Sequence, residues 1–149
     1  MRQSNLWAIF LLLFFIILPV QNTSAQETYN IYTLEYFKRS VENLMAGEYE
    51  KAIENSSMVI RRDATSSVAY TIRARAYYEL GRYTNCINDC NQALNLDRHN
   101  TSALLLRASA YVETGNLNRA VLDWQTILRI DPDNTEAIRN LELAALQTQ

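Results

Sequence analysis

The chain has 149 residues with only three Gly and two Pro, where average usage would supply roughly ten and seven. That scarcity excludes the glycine-rich phosphate loops of nucleotide-binding folds and the turn-dense all-β sandwiches, and leaves a helical protein with short connections. Lys and Arg number 14 against 16 Asp and Glu, which is not the basic footprint of a nucleic-acid binder, and one His with two Cys is too few for a four-ligand zinc site or a disulfide framework.

The first 25 residues have the layout of a secretory signal peptide. A short start carrying Arg2 is followed by an unbroken apolar run from Leu6 to Leu18, then Pro19 and the small residues Thr23-Ser24-Ala25. Such a run makes about 20 Å of helix, short of the roughly 30 Å hydrocarbon core of a bilayer. Cleavage after Ala25 is therefore expected, with an uncleaved membrane anchor as the competing reading. No Cys follows the run, which disfavours a lipidated amino terminus. Loss of Arg2 would leave 13 basic against 16 acidic residues, a mildly acidic exported chain with a formal charge of −3. Residues 26–32 read as a short frayed segment, with Tyr29 and Tyr32 folding back on the first helix.

The rest of the chain is periodic. The three glycines, Gly47, Gly81 and Gly115, are each 34 residues apart, and their neighbourhoods repeat with them. Eleven residues earlier stand Tyr36, Tyr70 and Leu104; seven earlier, the small Ser40, Ala74 and Ala108; four earlier, Asn43, Tyr77 and Tyr111. Tyr49, Tyr83 and Leu117 follow two residues after, Ala52, Cys86 and Ala120 five after, and Ile60, Leu94 and Leu128 thirteen after. Within each unit the apolar positions recur at helical spacing on both sides of the glycine, so each unit predicts two helices around a left-handed Gly cap. One such hairpin cannot bury its own apolar stripe. Neighbours must stack, and three units are about the minimum for stability.

On these residues the chain resembles the tetratricopeptide repeat (TPR) proteins: the Gly turns, the small Ala52/Cys86/Ala120 position, the paired tyrosines, and Pro132 closing the third unit in Ile130-Asp131-Pro132-Asp133-Asn134. The resemblance implies an all-α, right-handed α-solenoid of three helix hairpins, at 33–66, 67–100 and 101–134, with a C-terminal capping helix over 135–149. The first unit departs from its sisters, with Asn43 in place of Tyr; Ala64 and Arg98 stand where the third unit has Pro132. In the capping helix, Ala137, Ile138, Leu141, Ala144 and Ala145 make one apolar face, and Glu136, Arg139, Asn140 and Glu142 keep the other in water.

Arg39, Arg73 and Arg107 lie eight residues before the glycines; Asn55, Asp89 and Asp123 lie eight after. In an antiparallel hairpin these positions face each other, predicting structural Arg73–Asp89 and Arg107–Asp123 pairs and an Arg39–Asn55 hydrogen bond rather than an anion site. Cys86 and Cys90, one turn apart on an inward face, read as small buried hydrophobes. His99 reads as a solvated loop residue. Asn55-Ser56-Ser57 and Asn100-Thr101-Ser102 fit the N-glycosylation pattern, which matters only in a eukaryotic secretory pathway. No nucleophile–base pair, metal cluster or phosphate loop is visible in the sequence. The expectation is a chain without catalytic activity and with no cofactor or metal.

The resemblance implies a concave face formed by the first helix of each unit. Mapped onto this chain, that face includes Phe37, Lys38, Val41, Thr71, Ile72, Arg75, Tyr78, Glu79, Leu105, Leu106, Ser109 and Glu113. Some TPR domains clamp a chaperone's carboxylate tail with Lys, Asn and Arg. Here Phe37, Val41, Ile72, Ser102 and Leu106 occupy those positions, so no clamp is expected. An apolar groove edged by Arg75 and Glu79 suits an extended or helical segment. The implied function is an exported, periplasmic or secreted interaction scaffold for a protein or peptide. No nucleic-acid partner is expected, and membrane contact only through an uncleaved signal segment. The alternative is a structural subunit of an envelope or secreted assembly that acts through self-association.

Overall fold

In the computed structural model the backbone is described for residues 6–147 and the side chains for residues 25–147. The expected signal segment at 1–25 therefore falls, apart from Ala25, outside the residues with described side chains, and its cleavage is not addressed by the fold. The described residues form seven helices and no strand: α1 (Leu6–Met45), α2 (Tyr49–Arg62), α3 (Ser67–Glu79), α4 (Tyr83–Leu96), α5 (Thr101–Glu113), α6 (Leu117–Ile130) and α7 (Thr135–Gln147). Among residues 25–147 no helix is long and apolar enough to cross a membrane.

Each hairpin turns where its glycine stands. Gly47, Gly81 and Gly115 have φ of +74°, +70° and +73°, the left-handed region in which a Cβ is strained. The Gly81 N–H bonds the Tyr78 carbonyl and the Arg82 N–H bonds the Tyr77 carbonyl, each at 2.8 Å, which closes α3 with a Schellman cap. The pattern recurs at Gly47 and Gly115. The opposite ends are also periodic. Ser66, Asn100 and Asn134 stand one residue before α3, α5 and α7, and their side chains accept from the Ala69, Ala103 and Ala137 amides. Those caps satisfy N–H groups that would otherwise lack a partner.

Packing inside a hairpin rests on small side chains. Ala74 with Cys86, and Ala108 with Ala120, are fully buried at the α3–α4 and α5–α6 crossings, which brings the helix backbones close. Larger residues fill the layers between hairpins: Leu104, Trp124 and Ile127 in one cluster, Leu106 beside Cys90 in another. Contacts run α1–α2–α3–α4–α5–α6–α7 in sequence, and the first helices also meet, α1 on α3 and α3 on α5. The second helices make no comparable contacts with one another. The first helices therefore line the narrower, inner side of the stack.

The amino-terminal reading is corrected in one respect. Residues 26–32 belong to α1 and are helical rather than frayed; Tyr29 reaches α2 instead of folding back on its own helix, and Tyr32 is 54% exposed. The Tyr29 hydroxyl donates to the Arg62 carbonyl, and the Arg62 guanidinium lies over the Tyr29 and Tyr36 rings, 5.6 and 4.9 Å from their centroids. The extra turns of α1 thus close the exposed end of the first hairpin with cation–π and hydrogen-bond contacts.

Candidate functional site

The arginine ladder is structural and spans more than one hairpin. Arg107 Nε and Nη2 donate to the Asp123 carboxylate at 2.9 and 2.6 Å, and Nη1 donates to Asn91 Oδ1 at 2.6 Å. Arg73 repeats this with Asp89 at 2.7 and 2.8 Å and with Ser57 Oγ at 3.0 Å. Asn91 and Ser57 belong to the preceding hairpins, so each guanidinium ties its own second helix to the one before it. The hydrogen bonds that Arg73 donates to Asp89 raise its pKa; at Arg107, burial works against the charge but Asp123 outweighs it, again raising the pKa. The expected Arg39–Asn55 bond is absent. Arg39 pairs instead with Glu35 at 2.9 Å, while Asn55 donates to Asn43 Oδ1 at 3.0 Å. A neutral Asn offers Arg39 no charge, whereas Glu35 one turn earlier does.

Other chemistry-bearing residues are accounted for by the fold. Cys86 and Cys90 are free thiols with no exposed surface. The Cys86 hydrogen bond, followed by burial, pushes the Cys90 thiol far above its usual range, away from a reactive thiolate. His99 is an exposed loop residue whose backbone N–H donates to Asp97. Both glycosylation-pattern asparagines are engaged: Asn55 with Asn43 and the Lys51 carbonyl, Asn100 as the α5 cap and donor to Ser67 and Thr71. Among the described residues no group of His, Cys, Asp and Glu is arranged to hold a metal.

The inner face distributes its expected residues unevenly. Ile72 and Leu106 are buried core residues, 9% and 4% exposed, and are removed from the set that a partner can touch. Leu106 packs with Ala74, Cys86 and Cys90 of the preceding hairpin. Phe37, Val41, Leu105, Tyr78 and Ser109 are half-buried; Lys38, Arg75, Glu79 and Glu113 are exposed. Lys38 pairs with Glu42 and Arg75 with Glu79, each at 3.7 Å on one helix. These exposed pairs neutralise each other locally and contribute little to stability.

A cleft of about 230 Å³ opens at the carboxy-terminal end of this face. Tyr78 of α3 and Ser109, Val112 and Glu113 of α5 form one side of it, Leu117 and Trp124 of α6 its base, and Asn140, Leu143 and Gln147 of α7 the other side. Val112 and Leu143 are 44% and 52% exposed. The Trp124 indole N–H is buried and has no acceptor. Tyr78 and Tyr83 meet edge to face at 5.5 Å, and the Tyr83 hydroxyl reaches Glu113 at 3.4 Å. Burial, then the Glu113 carboxylate, raises the pKa of both tyrosines. A second cleft, about 350 Å³, is bounded by Leu117, Val121, Gln125, Leu141 and Ala144 and has no charged lining residue.

Sequence reasoning missed the α7 side of the first cleft, though a signal was present. Asn140, Leu143 and Gln147 lie 34 residues after Leu106, Ser109 and Glu113. The period does not stop at residue 134, and α7 continues the register of the first helices. Asn140, expected on its wet face, is half-buried at the cleft; Glu136, Arg139 and Glu142 are exposed as expected. Ile138, at 38%, and Ala145, expected on the apolar face, are exposed, while Ala137 and Ala144 are buried.

The family described as tetratricopeptide repeat matches residues 67–100 and 101–134. Among solved structures, the chain is similar to the first TPR of Spaghetti (RPAP3) bound to the HSP90 peptide SRMEEVD, at 28% identity and a TM-score of 0.75, covering 78% of this chain and 92% of that one. It is similar to the second TPR domain of human RPAP3 in complex with the HSP70 peptide SGPTIEEVD, at 29% identity and a TM-score of 0.74, covering 78% and 98%. The second TPR of Spaghetti bound to SRMEEVD is 30% identical with a TM-score of 0.67, covering 72% of this chain and 99% of that one. No curated protein matches the chain. The repeat residues, the stacked hairpins and these likenesses agree: the chain belongs to the tetratricopeptide-repeat family.

Proposed function

We propose that the protein is a non-catalytic interaction adaptor that binds a peptide or protein segment along its inner face. The observation that carries this reading is the cleft at the end of the face, where Val112 and Leu143 stay half open although the rest of the apolar side chains around them are packed. Exposed apolar side chains gathered in one concavity mark an interaction site more strongly than isolated ones do. The related TPR domains in complex with HSP90 and HSP70 peptides support the class of partner. Residues 1–25 complete the proposal as an export signal that places the adaptor in a periplasmic or secreted compartment; a chain recovered from that compartment with Gln26 as its first residue is the expected result.

The test uses the full chain and in-cell cross-linking. Val112→Glu with Leu143→Glu puts two charges into the cleft at exposed positions, so helicity and melting should stay near wild type while captured partners are lost. Leu122→Glu, at a 61% exposed position on α6, should keep them. Partners retained by the folded double variant would contradict the assignment. If Leu122→Glu instead dissolves a concentration-dependent oligomer, the self-association reading takes its place.

A further inference from the structure

The charge of the cleft bears on what it selects. Glu113 is the one charged side chain among its lining residues, and among the described residues no Lys or Arg lies within ion-pair distance of it. Its polar contact is the Tyr83 hydroxyl, at a weak 3.4 Å. The neighbouring acid, Glu79, is matched by Arg75. Apolar surface from Val112 and Leu143 lies alongside, and the neutral amides of Asn140 and Gln147 complete the rim. A volume of about 230 Å³ falls below the roughly 300–1,000 Å³ of small-molecule pockets and suits one bulky side chain of a longer ligand.

From this arrangement we propose that the groove takes a peptide segment presenting a Lys or Arg beside a bulky apolar side chain, the apolar group entering between Val112 and Leu143 and the cation meeting Glu113. This rests on the inner face being the binding surface, and it specifies the partner's chemistry. The preferred charge is opposite to that of the acidic peptides SRMEEVD and SGPTIEEVD seen on related domains. An acidic tail would place like charges at Glu113 and find no cation among the residues lining the cleft, whereas a basic segment gains an attraction that the free protein leaves unused. The net formal charge of −2 favours the same encounter at long range.

The probe is a random twelve-residue peptide library displayed on phage and selected on the immobilised full chain, with its variants run in parallel. Peptides with Lys or Arg next to Leu, Ile, Met or Phe should be recovered over their acidic counterparts by about tenfold, the scale of one partly desolvated ion pair. Glu113→Gln, at an exposed position, should erase that preference without lowering helicity, and Glu113→Lys should turn it toward Asp and Glu. The Trp124 indole N–H resonance should move on titration with a recovered basic peptide. Equal recovery of basic and acidic peptides, or a preference unchanged in Glu113→Lys, overturns the charge assignment while the groove stands, provided Val112→Glu with Leu143→Glu abolishes recovery. Peptides indifferent to that double change, or none recovered, overturn the groove reading and this one together. A full chain that sediments as a dimer dissolved by Val112→Glu would show a second copy in the groove and likewise overturn it.

Discussion

Arg107 and Arg73 each spend three donors on two neighbouring helices, and the carboxylates they hold, Asp123 and Asp89, are only 4% and 6% exposed. Removing one partner of such a pair strands the other partly buried, which costs more than the pair contributes in net terms. Asp123→Ala should therefore lower stability by about 2 kcal/mol, discounted for the partial exposure of Arg107, and reduce Tm by roughly 8 °C. Thermal unfolding followed by circular dichroism checks this; an unchanged Tm would show that water takes over the Asp123 contacts at no cost. The own-repeat half of this network is readable from the ±8 spacing around Gly81 and Gly115, though not around Gly47, where Arg39 turns to Glu35. The Asn91 and Ser57 half is not, because it depends on how one hairpin stacks on the next. The same limit explains Ile72 and Leu106: the resemblance maps them onto the inner face, and only the stacked structure shows that they are buried, Leu106 against Ala74, Cys86 and Cys90.

At the scale of the helix, the end signals do most to fix where elements begin and stop. The glycines were legible at once, since residues with positive φ are where Gly is needed. Ser66, Asn100 and Asn134 carried an equally regular capping signal at the same period. A Cβ at Gly81 meets nothing within 4 Å, so Gly81→Ala isolates the backbone strain from any clash. The expected loss is about 1 kcal/mol, read as a reduced midpoint in urea with an unchanged slope. A variant as stable as wild type would mean that the Schellman turn tolerates Ala there. Helices α1 and α7 are where the sequence was least informative. Aromatic contacts to Arg62 make helix of residues that look like a loose lead-in, and α7 serves the groove because its spacing continues the repeat beyond the last glycine.

For the molecule as a whole, the stacking of first helix on first helix makes one side concave, and three and a half units leave that concavity open along its length. The repeat architecture could be read in the linear chain because each unit restates it. The cleft could not, since Tyr78, Val112, Trp124 and Leu143 come from four helices and meet only after stacking. A partner on this inner surface would touch Val112 and leave Leu122 of α6 free. The most direct test of binding there is a photo-activated cross-linking residue placed in the full chain at Val112 or at Leu122 and irradiated in the producing cells. Binding on the inner face gives cross-linked partner from position 112 and none from position 122; cross-linking from 122 alone would contradict it.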